Sequence, residues 1–392
     1  MATKTKQGDF REIDVSQTLT SVYPVVELVL SFLPYIDLYK SARVCQLWRK
    51  IVNTIKLKRN SLGFSCSTRE DSVWNTMRFL RNLFSEPQTL IAFCHNSMNT
   101  SLADLYVKRG EELAGLLHIS EEVLIRMSLM EFIKLFVPKS CEVAIIEAAG
   151  IVGTTTDMKT EEFESAEAIT FLSIPKLHNN EGLKVVTQSD VTTIEDILLI
   201  HDSKTLKACF LFCSDPGFLS KSLVSNLVDK HSVLVAGAFV AGLYSQSQRN
   251  EKHDFITCMS LSLYGNQVET ASVILPQPKN WGSEHCEMTK ADIEKSIITL
   301  KDMNLPDKNS FALMIACVGR GEGLFEEPNV ESSLFRKHFP RTPLFGLFGD
   351  GEIGCNFHEG VLNKPSTEER KRKSPPKLFH SYTTVLVLVC VK

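Results

Sequence analysis

Pro34 and Asp37 divide an apolar stretch near the start of the chain into short helices. Between residues 25 and 57 the apolar positions recur with the period of an α-helix, and a proline inside such a run ends the helix. Pro24 suits the first turn of one helix, and Asp37 is placed to cap the next. A module this short cannot bury all of its apolar side chains. We therefore predict a small helical module whose surplus apolar surface binds a partner.

The order and spacing of residues in this module resemble the F-box. The matching elements are Pro24, the step from Leu30 to Pro34, the Asp37-Leu38 pair, and Val44-Cys45 followed by Trp48-Arg49. Ser41 departs from the pattern, since the family usually has a leucine there. The alternative is an ordinary helical hairpin within a core. The resemblance implies binding to a Skp-type adaptor of a cullin ubiquitin ligase, through Pro24, Leu28, Leu30, Leu33, Pro34, Leu38, Val44, Cys45 and Trp48.

Beyond residue 62 the pattern changes to short apolar runs that alternate with helix-period segments. The predicted strands are 90–94, 143–146, 209–213, 233–236, 311–316, 344–348 and 383–391, and the predicted helices are 102–136, 217–229, 289–302 and 331–337. The β-rich runs 256–263 and 268–275, with Gly265-Asn266 between them, predict a hairpin. Residues 154–168 and the basic stretch 364–377 are predicted loops. The fold class is therefore α+β, with a small all-helical module followed by a mixed α/β region whose strands are largely buried.

Three segments near the C-terminus join an apolar strand to a glycine-rich or polar turn. They are Phe311 to Gly321, Pro343 to Cys355 and Leu378 to Thr384. The ends of parallel strands meet at one edge of a sheet, so these turns are expected to form one concave site. Arg320 and Glu352 are expected to form a charge-assisted pair there, because an unpaired buried charge is costly.

These segments resemble the FIST domain, a sensory or ligand-binding domain. The matching pieces are Cys317 to Gly321, Gly351 to Gly354 and His380 to Thr383, while Ala238 replaces a glycine of the family. The polar residues 1–20 predict a disordered tail. The two resemblances imply an F-box at 21–62, and FIST N-terminal and C-terminal regions at 63–260 and 261–392. They also imply a pocket formed by Cys317, Arg320, Gly321, Glu352, Gly354, His380 and Tyr382.

Together the resemblances imply the substrate-recognition subunit of an SCF-type ubiquitin ligase, with no catalytic residue of its own. Such a subunit acts by raising the local concentration of a substrate lysine. The implied substrates are nuclear and cytoplasmic regulators of transcription or chromatin, such as histone lysine demethylases, which the proteasome would degrade. The alternative is a small-molecule sensor domain or vestigial enzyme, in which a ligand in the pocket gates the binding of partners.

Individual residues of the pocket allow two interpretations each. Cys317 beside Arg320 could be a reactive thiolate or simply a buried thiol. Glu352 and His380 could be an acid–base pair or could hold the turns by hydrogen bonds. Residues 349–354 match G-x-G-x-x-G, but no helix is predicted after them, so dinucleotide binding is not expected. Paired Cys or His spacings are absent, and we expect no metal and no cofactor.

Bulk composition favours neither nucleic acid nor membrane as a partner. The chain has 43 basic and 46 acidic residues, a net charge of −3, and no apolar run of the about 20 residues that span a bilayer. Its 11 cysteines form no framework, and no secretory signal is evident, which predicts reduced thiols in the cytoplasm or nucleus. The basic run 370–373 is either a nuclear import signal or a solvated loop.

Overall fold

A computed structural model describes most of the chain. The described residues are 22–68, 72–98, 110–176, 184–189, 206–219, 221–246, 256–278, 290–306, 309–358 and 377–391. The predicted tail at 1–20 and the basic run 370–373 lie outside these residues.

The helical module, residues 22–62, consists of three helices, α1 (Tyr23–Ser31), α2 (Tyr35–Ser41) and α3 (Gln46–Lys58). Pro34 separates α1 from α2 as predicted. The expected capping role of Asp37 is wrong, because Asp37 lies inside the first turn of α2 and pairs with Lys40 at 3.0 Å. The module has its own small core, formed by Val26, Leu30, Leu38, Ile51, Val52 and Ile55.

The rest of the chain forms three sheets. In spatial order, the five-stranded sheet is β1 (Gly63–Thr68), β6 (Ala168–Pro175), β2 (Pro87–His95), β3 (Glu142–Ala148) and β10 (Gly242–Gln246). The six-stranded sheet is β17 (Phe379–His380), β15 (Glu352–Gly354), β9 (Leu234–Phe239), β8 (Leu206–Cys213), β11 (Cys258–Tyr264) and β7 (Lys184–Ser189). The seven-stranded sheet is β16 (Phe357–His358), β12 (Val268–Leu275), β18 (Thr384–Val391), β13 (Ser310–Cys317), β14 (Leu344–Gly349), β4 (Gly150–Thr154) and β5 (Thr160–Phe163).

All three sheets are mixed, which confirms the predicted fold class. The parallel pairs are β2 with β3, β8 with β9, and β13 with β14. The sheets share one large core, in which Phe93 contacts Phe212 and Phe64 contacts Phe345 edge to face. Strands from both sides of residue 260 share sheets, since β4 pairs with β14 and β15 pairs with β9. The boundary at 260 stays a prediction and coincides with no division between sheets.

Eight further helices cover these sheets in the described part of the chain. They are α4 (Ser72–Arg81), α5 (Gly110–Leu117), α6 (Glu121–Arg126), α7 (Leu129–Lys134), α8 (Lys221–His231), α9 (Lys290–Asp302), α10 (Glu322–Phe325) and α11 (Val330–His338). The single helix predicted at 102–136 is wrong, because α5, α6 and α7 occupy its described part. Ser120 caps α6, and Ser128 forms a capping box with Glu131 at the start of α7. Each serine hydroxyl thus accepts from one backbone N–H in the first turn of a new helix.

The predicted hairpin of residues 256–263 with 268–275 and the predicted loop at 154–168 are also wrong. The strands β11 and β12 follow one another but do not pair, because β11 lies between β7 and β8 while β12 pairs with β16 and β18. Alternating apolar residues predict a strand but not which strand will pair with it. Residues 154–168 are not a loop, since β5 lies within them and pairs with β4.

Cys213 and Cys258 face each other across the β8–β11 pair and form a disulfide. The expectation of reduced thiols throughout is therefore wrong for these two. The other described cysteines are free.

Side chains of Tyr35, Lys56 and Arg59 attach the helical module to the second region, in addition to hydrogen bonds from Tyr35 N–H to the Leu83 carbonyl and between the Ser61 and Ser85 hydroxyls. The buried Tyr35 hydroxyl donates to the Phe136 carbonyl, and Lys56 pairs with Glu86 at 3.1 Å. The Arg59 guanidinium donates to the Phe84 carbonyl at 2.6 Å and to the Ser31 carbonyl at 2.9 Å. It also lies 3.7 Å over the Phe84 ring, and its burial lowers its pKa to about 10. These contacts fix the orientation of the module.

Replacing Arg59 by alanine should loosen this attachment. The Arg59→Ala variant loses both hydrogen bonds and the ring contact, and we expect a loss of about 2–3 kcal/mol in the stability of the module. Hydrogen exchange should accelerate in α1 and α3 and stay slow in β2 and β3. Arg43→Ala, at an exposed position of the same module, is the control. Equal exchange in the two variants would contradict this role of Arg59.

Candidate functional site

The first candidate site is a set of exposed apolar side chains on the helical module. Leu28, Phe32 and Val44 are 61%, 76% and 64% exposed, although the core of the module is closed without them. Leu28 and Phe32 are four residues apart on α1 and so lie on one side of that helix. Large apolar side chains that are this exposed on a small module indicate a binding surface.

The second candidate site is the edge of the seven-stranded sheet where the glycine-rich turns meet. Because β13 and β14 are parallel they end at the same edge, and β18 is antiparallel to β13 and begins there. Backbone hydrogen bonds join the turns, with Cys317 N–H donating to Thr383 at 3.0 Å and Val318 N–H to Gly349 at 2.9 Å. Ala238 packs against Gly349, where a side chain on Gly349 would clash with it.

Arg320 is buried at this edge and holds several segments together. The side chain is 0% exposed and forms an ion pair with Glu331 of α11, to which Nε donates at 3.0 Å. It also donates to the carbonyls of Pro276 and Tyr382, each at 2.9 Å. The predicted pair of Arg320 with Glu352 is therefore wrong. Sequence reasoning missed Glu331, which lies in the first turn of a helix and carries no motif that marks it.

Glu352 lies at the same edge in a different environment. Its Oε2 accepts hydrogen bonds from the Thr383 hydroxyl at 2.6 Å and the Thr383 N–H at 3.2 Å. Its Oε1 is buried and, apart from the weak donor of the Cys317 thiol, has no hydrogen-bond partner among the described protein groups. Burial raises the pKa of Glu352, and the bonds from Thr383 partly offset that effect. Burial also raises the pKa of the neighbouring Cys317 thiol, which favours the thiol over the thiolate that a nucleophile requires.

His380 and Tyr382 complete this edge in ways that support a structural role. His380 lies opposite Glu352 in the backbone register of β15 and β17. Its side chain does not bond to Glu352, since Nε2 donates to the Gly354 carbonyl at 2.9 Å. Burial lowers the pKa of His380, which favours the neutral ring. Tyr382 has a φ of +59°, and its ring lies against Gly319, where a Cβ would come within 2.7 Å of it. Both rings are thus fixed by the backbone of neighbouring turns.

Two carboxylates from β5 and the residue after it hold the helices beside this edge. Glu162 accepts from Ser332 N–H in the first turn of α11 at 2.7 Å, and Glu164 accepts from Glu322 N–H in α10 at the same distance. Gly321, with a φ of +72°, leaves the room that the Glu164 carboxylate fills. Burial, followed by the nearby charge of Glu331, raises the pKa of Glu162 to about 7.

Comparison with known proteins identifies the helical module. Residues 23–60 match the model of the F-box domain. The chain carries an F-box. It is 28% identical over 413 residues to F-box only protein 22 of Pongo abelii, and the alignment covers 97% of both chains. It is also 28% identical over 398 residues to F-box only protein 22 of Homo sapiens, which covers 95% of this chain and 93% of that protein.

Two further similarities are more limited. An F-box/LRR-repeat protein of Arabidopsis thaliana is 35% identical over 100 residues, which are 25% of this chain and 18% of that protein. A solved structure of cyanuric acid hydrolase covers 85% of this chain and 99% of its own, at 8% identity and a TM-score of 0.32, which is too low to support an argument. The F-box resemblance is thus confirmed, and the FIST resemblance stays a prediction.

The residues expected to contact an adaptor lie in three environments within the F-box. Pro24, Leu28, Val44 and Cys45 are exposed, and the Cys45 thiol caps α3 by accepting from Trp48 N–H at 3.5 Å. Leu33, Pro34 and Trp48 are partly buried. Leu30 and Leu38 are buried in the F-box core, so they hold the helices together and are not available to a partner. The list of expected contacts omitted Phe32, which the spacing of four from Leu28 could have revealed.

For a metal site, a membrane span and a dinucleotide site, the structure can be compared with expectation only in the described residues. There, no three His, Cys, Asp or Glu side chains are grouped so that they could hold a metal ion. Within the same ranges, no helix is both long and apolar enough to cross a membrane. The G-x-G-x-x-G segment at 349–354 continues into β15 and β16, and the described chain after it, up to residue 358, contains no helix to receive a pyrophosphate.

Removing the Arg320 side chain should be strongly destabilising. The Arg320→Ala variant leaves Glu331 buried without its cation, and breaking a buried pair in this way costs about 3–5 kcal/mol. Denaturant unfolding should show this loss, while Arg341→Ala, at an exposed position, should change the stability by less than about 0.5 kcal/mol. Similar losses for both variants would contradict the importance of the pair.

The buried carboxyl of Glu162 should make stability depend on pH. Its pKa of about 7 in the folded chain exceeds its ordinary value of 4.5. The contribution of this carboxyl to the free energy of unfolding is therefore complete below pH 4.5 and is lost as the pH rises through 7. Glu162→Gln keeps an oxygen for Ser332 N–H but cannot ionise. We expect its stability relative to the unmodified chain to increase by about 2 kcal/mol between pH 5 and pH 8. Glu121→Gln, at an exposed position, should show no such trend, and a flat difference for Glu162→Gln would refute the assignment.

Proposed function

We propose that the chain is the substrate-recognition subunit of an SCF-type ubiquitin ligase. The observation that carries the proposal is the exposure of three large apolar side chains on the F-box, those of Leu28, Phe32 and Val44. F-box domains bind a Skp-type adaptor and, through it, a cullin. The similarity to F-box only protein 22 along almost the whole chain supports the same division of roles here.

The region after the F-box would capture the protein substrate. Arg59, Tyr35 and Lys56 hold the F-box against this region, so a captured substrate would keep a fixed orientation relative to the ligase. Rate enhancement then comes from proximity and requires no catalytic residue in this chain. The substrates in this proposal are nuclear and cytoplasmic regulatory proteins, including regulators of transcription or chromatin, and their fate is proteasomal degradation. Neither nucleic acid nor a membrane is a partner in this proposal.

One observation favours a second function, in which a small ligand at the glycine-rich edge gates the binding of partners. Glu352 is 0% exposed, and apart from the weak donor of the Cys317 thiol its Oε1 lacks a partner among the described protein groups. A bound ligand could supply that partner. A small molecule that raises the melting temperature of the chain but not that of Glu352→Ala would support this function, since a bound ligand stabilises by mass action.

The adaptor-binding proposal is tested by charges on the exposed face of the F-box. The Leu28→Asp, Phe32→Asp variant replaces two exposed apolar side chains by charged ones. Each large apolar side chain at the centre of such an interface contributes about 2 kcal/mol of binding free energy. Affinity for a purified Skp-type adaptor should fall at least about a hundredfold, as measured by calorimetry. Leu33 and Trp48 are less suitable targets, because they pack against the F-box core.

Val123→Asp is the matched control. Val123 is 50% exposed on α6, outside the F-box, and its replacement should leave adaptor binding unchanged. Unaltered adaptor affinity in a folded Leu28→Asp, Phe32→Asp variant would overturn the proposed function.

A further inference from the structure

The strand β1 leaves one edge of the five-stranded sheet open. On one side it pairs with β6 in an unbroken antiparallel register, from Gly63 opposite Ser173 to Thr68 opposite Ala168. On the other side, no strand of the described chain pairs with it. An edge strand presents backbone N–H and C=O groups that can pair with another strand.

This edge lacks the features that usually prevent pairing with another chain. The six residues of β1 are Gly-Phe-Ser-Cys-Ser-Thr, with no lysine, no proline and no charge. The register with β6 contains no bulge, so the edge is not twisted away. The strand is partly exposed along its length. An edge of this kind is suited to receive an added strand.

A groove lies directly along this edge. Its volume is about 690 Å³, and residues 61–66 contribute to its lining. One wall is formed by Asn75, Arg78 and Phe79 of α4 and by Asn82 just after it, and the turn at Thr155 and Thr156 also lines the groove. The groove is therefore rich in hydroxyl and amide groups, which can hydrogen-bond to an extended backbone.

The charge of the groove indicates what kind of strand it would accept. Arg78 is the one charged side chain that lines it, and its guanidinium is exposed and forms no ion pair within the described ranges. A carboxylate on the added strand would match this charge. Phe79 and Phe84, which also line the groove, provide apolar contact for a neighbouring side chain.

We propose that this groove binds an extended acidic peptide segment of a partner protein, which pairs with β1 as an additional strand. The proposal rests on the proposed function, because the segment would belong to a ubiquitination substrate. Phe84 and Ser85 of the groove adjoin the F-box through the Arg59 and Ser61 contacts. A substrate bound there is held next to the F-box.

The test uses the full chain in complex with a Skp-type adaptor and two labelled peptides of defined sequence. The acidic probe is acetyl-Thr-Val-Asp-Val-Thr-Val-amide, and in the matched probe lysine replaces the aspartate. Fluorescence polarisation should show tighter binding of the acidic probe. Two further versions of that probe carry N-methyl groups on alternate residues, in one frame or the other. Methylation of the residues whose N–H groups face β1 should abolish binding, whereas methylation of the other residues should not. The reason is that alternate residues of an added strand face the sheet edge.

The arginine is tested with a matched pair of variants on one helix. Arg78→Glu should weaken the acidic probe by about fivefold or more and strengthen the lysine probe, as expected for one exposed ion pair. Arg81→Glu, exposed on α4 but outside the groove, should change neither. Hydrogen exchange of β1 amides should slow when the acidic probe binds.

Several outcomes would overturn this inference. They are no binding of the acidic probe at millimolar concentration, equal effects of the two N-methyl frames, equal effects of Arg78→Glu and Arg81→Glu, or a dimer in which β1 is already protected. Adaptor affinity is measured on the same samples. If Arg78→Glu keeps that affinity while the probes fail, the groove is excluded and the proposed function stands.

Discussion

The buried guanidinium of Arg320 is the interaction on which the glycine-rich edge depends. A charge with no exposed surface requires partners on every side, and here they come from α11, from the residue after β12 and from the turn before β18. Thr384 adds a hydrogen bond to the same Glu331 carboxylate at 2.7 Å. Segments that are far apart in sequence are therefore held at one point. The small residues around it follow from this constraint, since Gly319 accommodates the Tyr382 ring and Gly321 the Glu164 carboxylate.

Burial gives the acidic groups near this edge different properties. Glu331 has a cation and a hydroxyl as partners. Within the described protein, one oxygen of Glu352 accepts from Thr383, and the other has no donor apart from the weak one of the Cys317 thiol. Glu162 accepts a hydrogen bond from a backbone N–H in the first turn of α11, and its burial raises its pKa. The F-box attachment uses the same principle on a smaller scale, because Arg59 is buried and joins carbonyls of α1 and of the loop before β2. In both places a buried arginine joins separate segments by donating to their backbone carbonyls.

The sequence was informative where structure is decided locally. The F-box could be predicted because its prolines, apolar spacing and aromatic residue all lie within a short segment. Strand positions such as 311–316 and 344–348 followed from apolar runs. Partner choice did not follow, because alternation cannot distinguish β18 from β11 as the neighbour of β12. The convergence of Arg320 and Tyr382 was expected from strand ends, yet the true counter-ion, Glu331, belongs to a helix that no pattern connected to the site.

The position of β18 has a consequence for how this chain can be made. The strand that ends at Val391 lies between β12 and β13 and pairs with both along its length. Contacts across such long sequence separations form late, since their loop-closure entropy must be overcome first. The seven-stranded sheet therefore stays divided into two parts, β16 with β12 and β13 to β5, until residues 384–391 have left the ribosome. During synthesis β12 and β13 would expose unpaired edges, and a chain that stops before residue 384 should depend on chaperones and be cleared by proteases.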